Sequence, residues 1–281
     1  MKKIFFASFL FVLIFSFAAS ADVIGTLNRS NQNIPENLKI ENIREVAGYK
    51  EELLADLFDK DFKTEGVSMN FYDSLTLMQL ALNKGEIDGF SAPENVGEYM
   101  LKANSEYKLR GFFIGKNPIA LAFGFLEDKK ELRDKFSKAI EEMENEGKIG
   151  LLARDFITGP KAANPDPVEF AKFDGAETIN VAITGDMPPI DYVDAAGKPA
   201  GFNTAIISEI GRRLKININV VNVETGSRAV ALKSGRVDSV FWFQLFTGYE
   251  NFKDQPDIPE GVIVSTPYYG WNKSMLIGKN K

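Results

Sequence analysis

The feature that most constrains the fold is a short unit that occurs twice, about 150 residues apart. Each copy consists of a strand-forming run, a helix, a glycine and a second strand, at 67–90 and at 216–241. The ends of the two helices correspond: AL-x-x-G-x-I-D at 81–88 matches AL-x-x-G-x-V-D at 231–238. Strands rich in β-branched residues around a short helix predict parallel strands joined by a crossover. The repeat therefore favours two related α/β lobes.

Local signals place the ends of several helices. Ser74 can accept a hydrogen bond from the first turn of the helix that follows it, and Gly85 suits the left-handed position after a helix. Residues 129–156 are predicted to form two helices that break near Gly147, because apolar residues recur at helical spacing. Residues 158–177 are rich in proline, glycine and small polar residues and predict a linker between two domains.

The N-terminus has the pattern of a secretory signal. Lys2 and Lys3 precede an apolar run, and Ala19-Ser20-Ala21 offers small residues for cleavage. We expect residues 1–21 to be a cleaved signal peptide, although an uncleaved membrane anchor is the alternative. The apolar run is short for a span, which needs about 20 residues. Because no cysteine follows the run, a lipid anchor on an N-terminal cysteine is not expected, and we predict a free periplasmic protein.

Composition excludes several kinds of chemistry. The chain contains no cysteine and no histidine, so disulfides and histidine-dependent catalysis or zinc binding are not available to it. Its formal net charge of −6 disfavours a nucleic acid or an anionic membrane as partner. We expect no metal and no cofactor.

The second half of the sequence resembles family 3 extracellular solute-binding proteins, the polar amino-acid receptors of ATP-binding-cassette (ABC) importers. The resemblance is carried by VAITGDMPPIDYVD at 181–194, GKPAGFN at 197–203, the repeat unit at 231–238 and STPYY at 265–269. Residues 34–157 are similar to the second lobe of the same family, through VAGYKEELL at 46–54 and through 132–149. The resemblance implies a two-lobed periplasmic-binding-protein-like type II fold.

In this chain the lobe-2-like domain comes before the lobe-1-like domain, as in a circular permutation. We expect residues 22–33 to be an N-terminal extension, 34–157 the lobe-2-like domain, 158–177 the linker and 178–281 the lobe-1-like domain. Crossover strands are expected near Ile119–Phe125 and Ser274–Gly278. A truncated tandem of two receptors is the alternative, and a single continuous sheet through both halves would refute the prediction of two lobes.

The resemblance also implies where a ligand would bind, but this sequence departs from the family pattern there. Glu250 stands where the family has the arginine for the ligand carboxylate, and Pro93 stands where it has the aspartate for the ligand amine. We therefore expect a small polar ligand with an apolar or ring component rather than a standard α-amino acid held in the usual way. The candidate ligand-binding residues are Tyr49, Lys50, Tyr72, Glu94, Asp186, Met187, Arg228, Trp242, Phe243 and Gln244.

Three functions are compatible with these residues. The first is reversible capture of a small solute for the membrane permease of an ABC importer, by a monomer without enzymatic activity. The second is a periplasmic enzyme of the same fold, a dehydratase for example, with Asp186 and Glu94 as an acid–base pair. The third is a ligand-sensing module. The sequence alone does not separate transport from sensing.

Overall fold

Two long strands, β4 (Tyr107–Leu126) and β12 (Tyr269–Lys279), run through both halves of the molecule. The computed structural model describes residues 45–49, 68–72, 74–246 and 258–280. The predicted signal peptide and N-terminal extension lie outside these residues. Within the described ranges, no helix combines the length and the apolar composition of a membrane span.

The remaining elements alternate between strands and helices. The strands of the first half are β1 (Glu45–Tyr49), β2 (Ser68–Tyr72) and β3 (Gly89–Pro93), and its helices are α1 (Leu75–Lys84) and α2 (Glu94–Ala103). After β4 come α3 (Lys130–Asn145) and α4 (Lys148–Ala153). The second half contains β5 (Thr178–Ile183), β6 (Asp186–Met187), β7 (Asp191–Val193), β8 (Pro199–Ala200), α5 (Phe202–Leu214), β9 (Asn217–Asn222), α6 (Arg228–Lys233), β10 (Ser239–Phe246) and β11 (Val262–Val264).

Both halves have the same strand order. The first is β2-β1-β3-β12-β4 and the second is β9-β5-β10-β4-β11. In each half the first three strands are parallel to one another. The fourth strand is antiparallel and also pairs with the other half: it is β12, beside β3, in the first half and β4, beside β10, in the second. The strands that flank each repeated helix are thus parallel, as predicted, but a third strand lies between them. The chain is α/β, as expected.

The two halves exchange strands where β4 and β12 pair. Residues 107–114 of β4 pair with 273–279 of β12, whereas 119–121 pair with 269–271. Between these stretches the register shifts, so that residues 115–118 face the single residue 272. The predicted crossovers lie within these two strands. Hydrogen bonding is continuous through nine strands, and this continuity counts against a simple division into two lobes.

Helices α3 and α4 pack on α5 of the second half, although they precede the linker. Arg213 of α5 forms ion pairs with Glu142 and Glu146 at the end of α3, and also with Glu209. The predicted break between α3 and α4 is present, with Gly147 at φ 70°. The structure thus groups residues 119–158 with the second half, which differs from the expected boundary at 157. The division of the chain into 34–157 and 178–281 stays a prediction.

The matched helix ends of the repeat adopt the same backbone conformation. Gly85 and Gly235 have φ 75° and φ 71°. The amide of Glu86 donates to the Ala81 carbonyl, and the amide of Arg236 donates to the Ala231 carbonyl. In the second half, the shared aspartate, Asp238, accepts from the Asn180 amide at the start of β5. The repeat therefore marks equivalent positions in two similar halves.

Ser74 caps α1, as the sequence predicts: its Oγ accepts from the Leu77 amide at 3.2 Å. We expect Ser74→Ala to lower the free energy of unfolding by about 1 kcal/mol, because one first-turn amide loses its acceptor. Urea denaturation measures the change. Ser105→Ala, at an exposed loop position, is the matched control and should stay within about 0.5 kcal/mol of the parent. Equal stability of the two variants would contradict a capping role.

Candidate functional site

The carboxyl-terminal ends of the parallel strands of both halves meet at one surface, called here the seam. Tyr72 ends β2, Glu94 follows β3, and Asp186 follows β5 after a two-residue turn. Ligands of open α/β sheets bind outside the carboxyl ends of strands. The seam is therefore the candidate functional site.

Asp186 lies at the centre of the described seam and contacts the opposite half. Its Oδ2 accepts from the Leu75 amide at the start of α1, at 2.8 Å. Burial raises the pKa of Asp186, and hydrogen bonds from the amides of Leu75 and Thr76 offset part of the rise. Asp186 was predicted to bind the ligand, but here one of its carboxylate oxygens is held by the N-terminus of α1.

The loop that carries Asp186 is held in place by a second carboxylate, that of Asp191. Asp191 is fully buried and accepts from the amides of Thr184 (3.2 Å) and Gly185 (3.0 Å). Burial raises its pKa to about 6, those two amides lower it, and the charge of Asp186 raises it. Beside it, the Tyr268 hydroxyl donates to Asn203 Oδ1 at 2.6 Å. Asp191 was not among the predicted site residues.

Glu94 and Arg228 already have protein partners. Lys273 of β12 donates to Glu94 Oε1 at 2.6 Å. Arg228 is buried, and its Nη1 donates to the Phe241 carbonyl at 3.2 Å. Both side chains therefore contribute to the structure of the seam, whatever they bind in addition.

The other predicted residues divide into two groups. Tyr72 is partly buried at the end of β2, and Met187 is 1% exposed within the hydrophobic core, a place typical of a packing residue. Outside the described part of the chain lie Lys50 and the side chains of Tyr49, Trp242, Phe243 and Gln244. The ten candidate residues remain a prediction.

The structure brings further polar and aromatic residues to the seam that sequence reasoning missed. On α2, Asn95 and Tyr99 are one helical turn apart. Burial raises the pKa of Tyr192 in the second half, and the neighbouring Tyr99 raises it further. From β12, the Tyr269 ring lies 4.9 Å from the Phe202 ring, and burial raises the pKa of Tyr269 while the nearby Asn95 side chain lowers it. In the sequence, the four-residue spacing of Asn95 and Tyr99 is the signal that could have identified them, because it places both on one face of a helix.

The sequence comparison supports the resemblance for part of the chain. The model of bacterial extracellular solute-binding proteins, family 3, matches residues 179–247, about a quarter of the sequence. The match covers the second half from β5 to β10 and confirms the resemblance there. A comparison with curated proteins found no match.

Several solved structures are similar at low identity. The ligand-binding component of an ABC-type import system from Staphylococcus aureus, with zinc bound, is 10% identical, with a TM-score of 0.44. The periplasmic aliphatic sulphonate binding protein SsuA from Escherichia coli is 13% identical, with a TM-score of 0.42. In both comparisons the match covers 84% of this chain and 64% of the other. The methionine binding protein MetQ is 11% identical, with 85% and 84% covered and a TM-score of 0.40.

This chain thus spans less than two thirds of the length of the first two proteins.

Proposed function

We propose that this protein is the solute-binding component of an ABC-type importer and captures a small polar solute at the seam. The family match supports the proposal because it covers β5 to β10, whose carboxyl ends form one side of the seam. The protein would be a monomer, exported through a cleaved signal peptide and free in the periplasm, and would deliver its solute to a membrane permease.

One observation carries the proposal. Three polar atoms, Asn95 Nδ2, Thr184 Oγ1 and Asp186 Oδ1, are buried at the seam and form no hydrogen bond of good geometry among the described residues. Their polar neighbours, Tyr269 beside Asn95 and the Thr184–Asp186 pair, interact only well enough to shift pKa values. Leaving a buried donor or acceptor unpaired costs about 1–3 kcal/mol. A solute with both donors and acceptors would recover this free energy. Its apolar or ring component would pack against four tyrosines, Tyr72, Tyr99, Tyr192 and Tyr269.

The chain order of the lobes is part of the proposal. β12 enters the sheet of the first half two positions from β1, so a short connection between them would restore the usual order. This supports a circular permutation over a truncated tandem. An enzymatic role is less well supported, because the two carboxylates that it would use, Asp186 and Glu94, are engaged by Leu75 and Lys273.

Native mass spectrometry of the purified protein tests solute capture. We expect a small molecule that remains bound under native conditions and is released, chemically unchanged, on unfolding. The identified solute should raise the melting temperature saturably. Asn95→Ala should weaken this effect at least fivefold in solute concentration, since a lost hydrogen bond costs about 1 kcal/mol or more. The control is Asn164→Ala at an exposed linker position. Turnover of the solute, or equal weakening by both variants, would contradict the proposal.

A screen of the twenty standard amino acids tests the predicted ligand class. We expect no rise in melting temperature with any of them at micromolar concentration. Pro93 offers no side-chain acceptor to an ammonium group, and the neighbouring Glu94 is paired with Lys273. Losing both charge-assisted contacts of the family costs roughly 3–6 kcal/mol. A saturable rise that Glu94→Ala abolishes would show that an altered amino-acid site exists.

A further inference from the structure

The contact between Asp186 and α1 joins residues of opposite halves. Asp186 belongs to the β6–β7 hairpin of the second half, whereas Leu75 is the first residue of a helix in the first half. They are 111 residues apart in sequence, and the amide nitrogen lies 2.8 Å from Oδ2. The Thr76 amide lies near this carboxylate and helps to lower its pKa. A hydrogen bond that crosses the seam can form only while the two halves are close together.

Both sides of this contact are held in place. On the first half, Ser74 Oγ occupies the Leu77 amide, so the Leu75 and Thr76 amides are the ones that Asp186 reaches. On the second half, Asp191 holds the Thr184 and Gly185 amides immediately before Asp186. A carboxylate at a helix N-terminus is favoured both by its hydrogen bonds and by the helix dipole.

We propose that Asp186 is an internal latch, which closes the seam in the absence of solute by binding the first turn of α1. Opening the seam requires this contact to break. The inference depends on the proposed function only in that opening would admit the solute. The solute would therefore bind to a minor, open population, and its apparent affinity would fall in proportion to that population.

The size of the effect follows from the type of bond. Hydrogen bonds to charged groups stabilise a structure enough to shift an equilibrium by roughly tenfold to a hundredfold. Removing the carboxylate should shift the open-to-closed ratio of the ligand-free protein toward open by this factor.

Distance measurements on the full-length, ligand-free protein test the latch. Because the chain contains no cysteine, spin labels can be placed at two new cysteines, Ala103→Cys in the first half and Ala195→Cys in the second, both at exposed positions. We expect one short, narrow distance distribution by double electron–electron resonance in the parent. With Asp186→Ala, a longer distance should appear and account for about a tenth or more of the molecules. Asp174→Ala, which removes an exposed carboxylate of the linker, should leave the distribution unchanged.

A variant on the other side of the seam separates the latch from a local folding defect. Thr76→Pro removes the Thr76 amide at an exposed first-turn position, where proline is compatible with a helix. It should produce the same longer distance in a smaller fraction of the molecules, because the Leu75 amide still donates to Asp186. The double variant should resemble Asp186→Ala alone, because both changes act on one contact. If Asp186→Ala does not fold, the distance between the spin labels in Thr76→Pro tests the latch by itself.

The latch would be overturned if the parent were already open, or if folded Asp186→Ala and Thr76→Pro kept the parental distance. It would also be overturned if their effects were fully additive. Since no solute is used, these outcomes are independent of whether a solute is found.

Discussion

Gly201→Ala should lower the free energy of unfolding by about 3 kcal/mol or more. Gly201 has φ 99° and ψ −179°, a region of backbone conformation that is essentially restricted to glycine and costs other residues about 1–3 kcal/mol. In addition, a Cβ at this position would lie 2.8 Å from the carbonyl oxygens of both Pro189 and Ile190. Those carbonyls accept from the Phe202 and Asn203 amides at the start of α5, so they cannot move without breaking these bonds.

Gly197→Ala is the matched control for this prediction. Gly197 also has a positive φ, 78°, but a Cβ there would meet no atom within 4 Å. We expect a loss of about 1–2 kcal/mol from backbone strain alone. Urea denaturation of both variants measures the difference. Equal losses would mean that the close approach of the Pro189 and Ile190 carbonyls does not matter.

Asp191 should make the protein more stable as the pH falls from 7 to 5. Burial raises the pKa of Asp191 from 3.8 to about 6, although the amides of Gly185 and Thr184 lower it. Because the folded state binds this proton more tightly than the unfolded chain, the stabilisation is complete below pH 3.8 and is lost as the pH rises through 6. One pKa unit corresponds to about 1.36 kcal/mol, so the full change is about 3 kcal/mol.

Another carboxylate acts in the opposite direction at lower pH. Burial alone would raise the pKa of Glu209, but hydrogen bonds from Arg212 and Arg213 outweigh it and lower the pKa below 4.5. The stability that Glu209 contributes is present above pH 4.5 and is lost as the pH falls through its lowered pKa. The gain at Asp191 continues down to pH 3.8 and the loss at Glu209 begins below pH 4.5, so these two groups together place the maximum of stability at about pH 4.

Urea denaturation at pH 5, 6 and 7 tests the role of Asp191. Asp191→Asn should remove most of the slope, whereas Asp174→Asn should retain it. The slope is the informative quantity, because an asparagine side chain has one acceptor oxygen where Asp191 uses two, loses one of the bonds from the Thr184 and Gly185 amides and so changes stability at every pH. A slope that persists in Asp191→Asn would show that another group titrates.

Much of the local structure could be predicted from the sequence. Ser74, Gly85 and Gly147 act through hydrogen bonds and dihedral angles within a few residues, so their neighbours in sequence determine their roles. The repeat correctly indicated equivalent helix ends at Ala81 and Ala231. These predictions depend on short-range geometry and needed no knowledge of the sheet.

The features that escaped prediction depend on long-range pairing. Asp191 looks like one more polar residue in a turn, and only the packing of α5 and of Tyr268 beside it buries the carboxylate. Asp186 was recognised as a seam residue, but its partner Leu75 lies 111 residues away, in a helix that the resemblance assigned to the other lobe. Residues 132–149 were assigned to the lobe-2-like domain by their resemblance to that lobe, whereas in the structure α3 and α4 pack on α5 of the second half.

The exchange of β12 has a consequence for how the protein is made. The sheet of the first half needs residues 274–277 beside β3, which are synthesised about 180 residues after that strand. Until residues 274–277 are available, β3 has an unpaired edge, and an exposed edge of this kind can pair with another chain. The first half therefore completes its sheet late, and contacts so distant in sequence favour slow folding. Newly made chains should depend on chaperones until residues 274–277 are available.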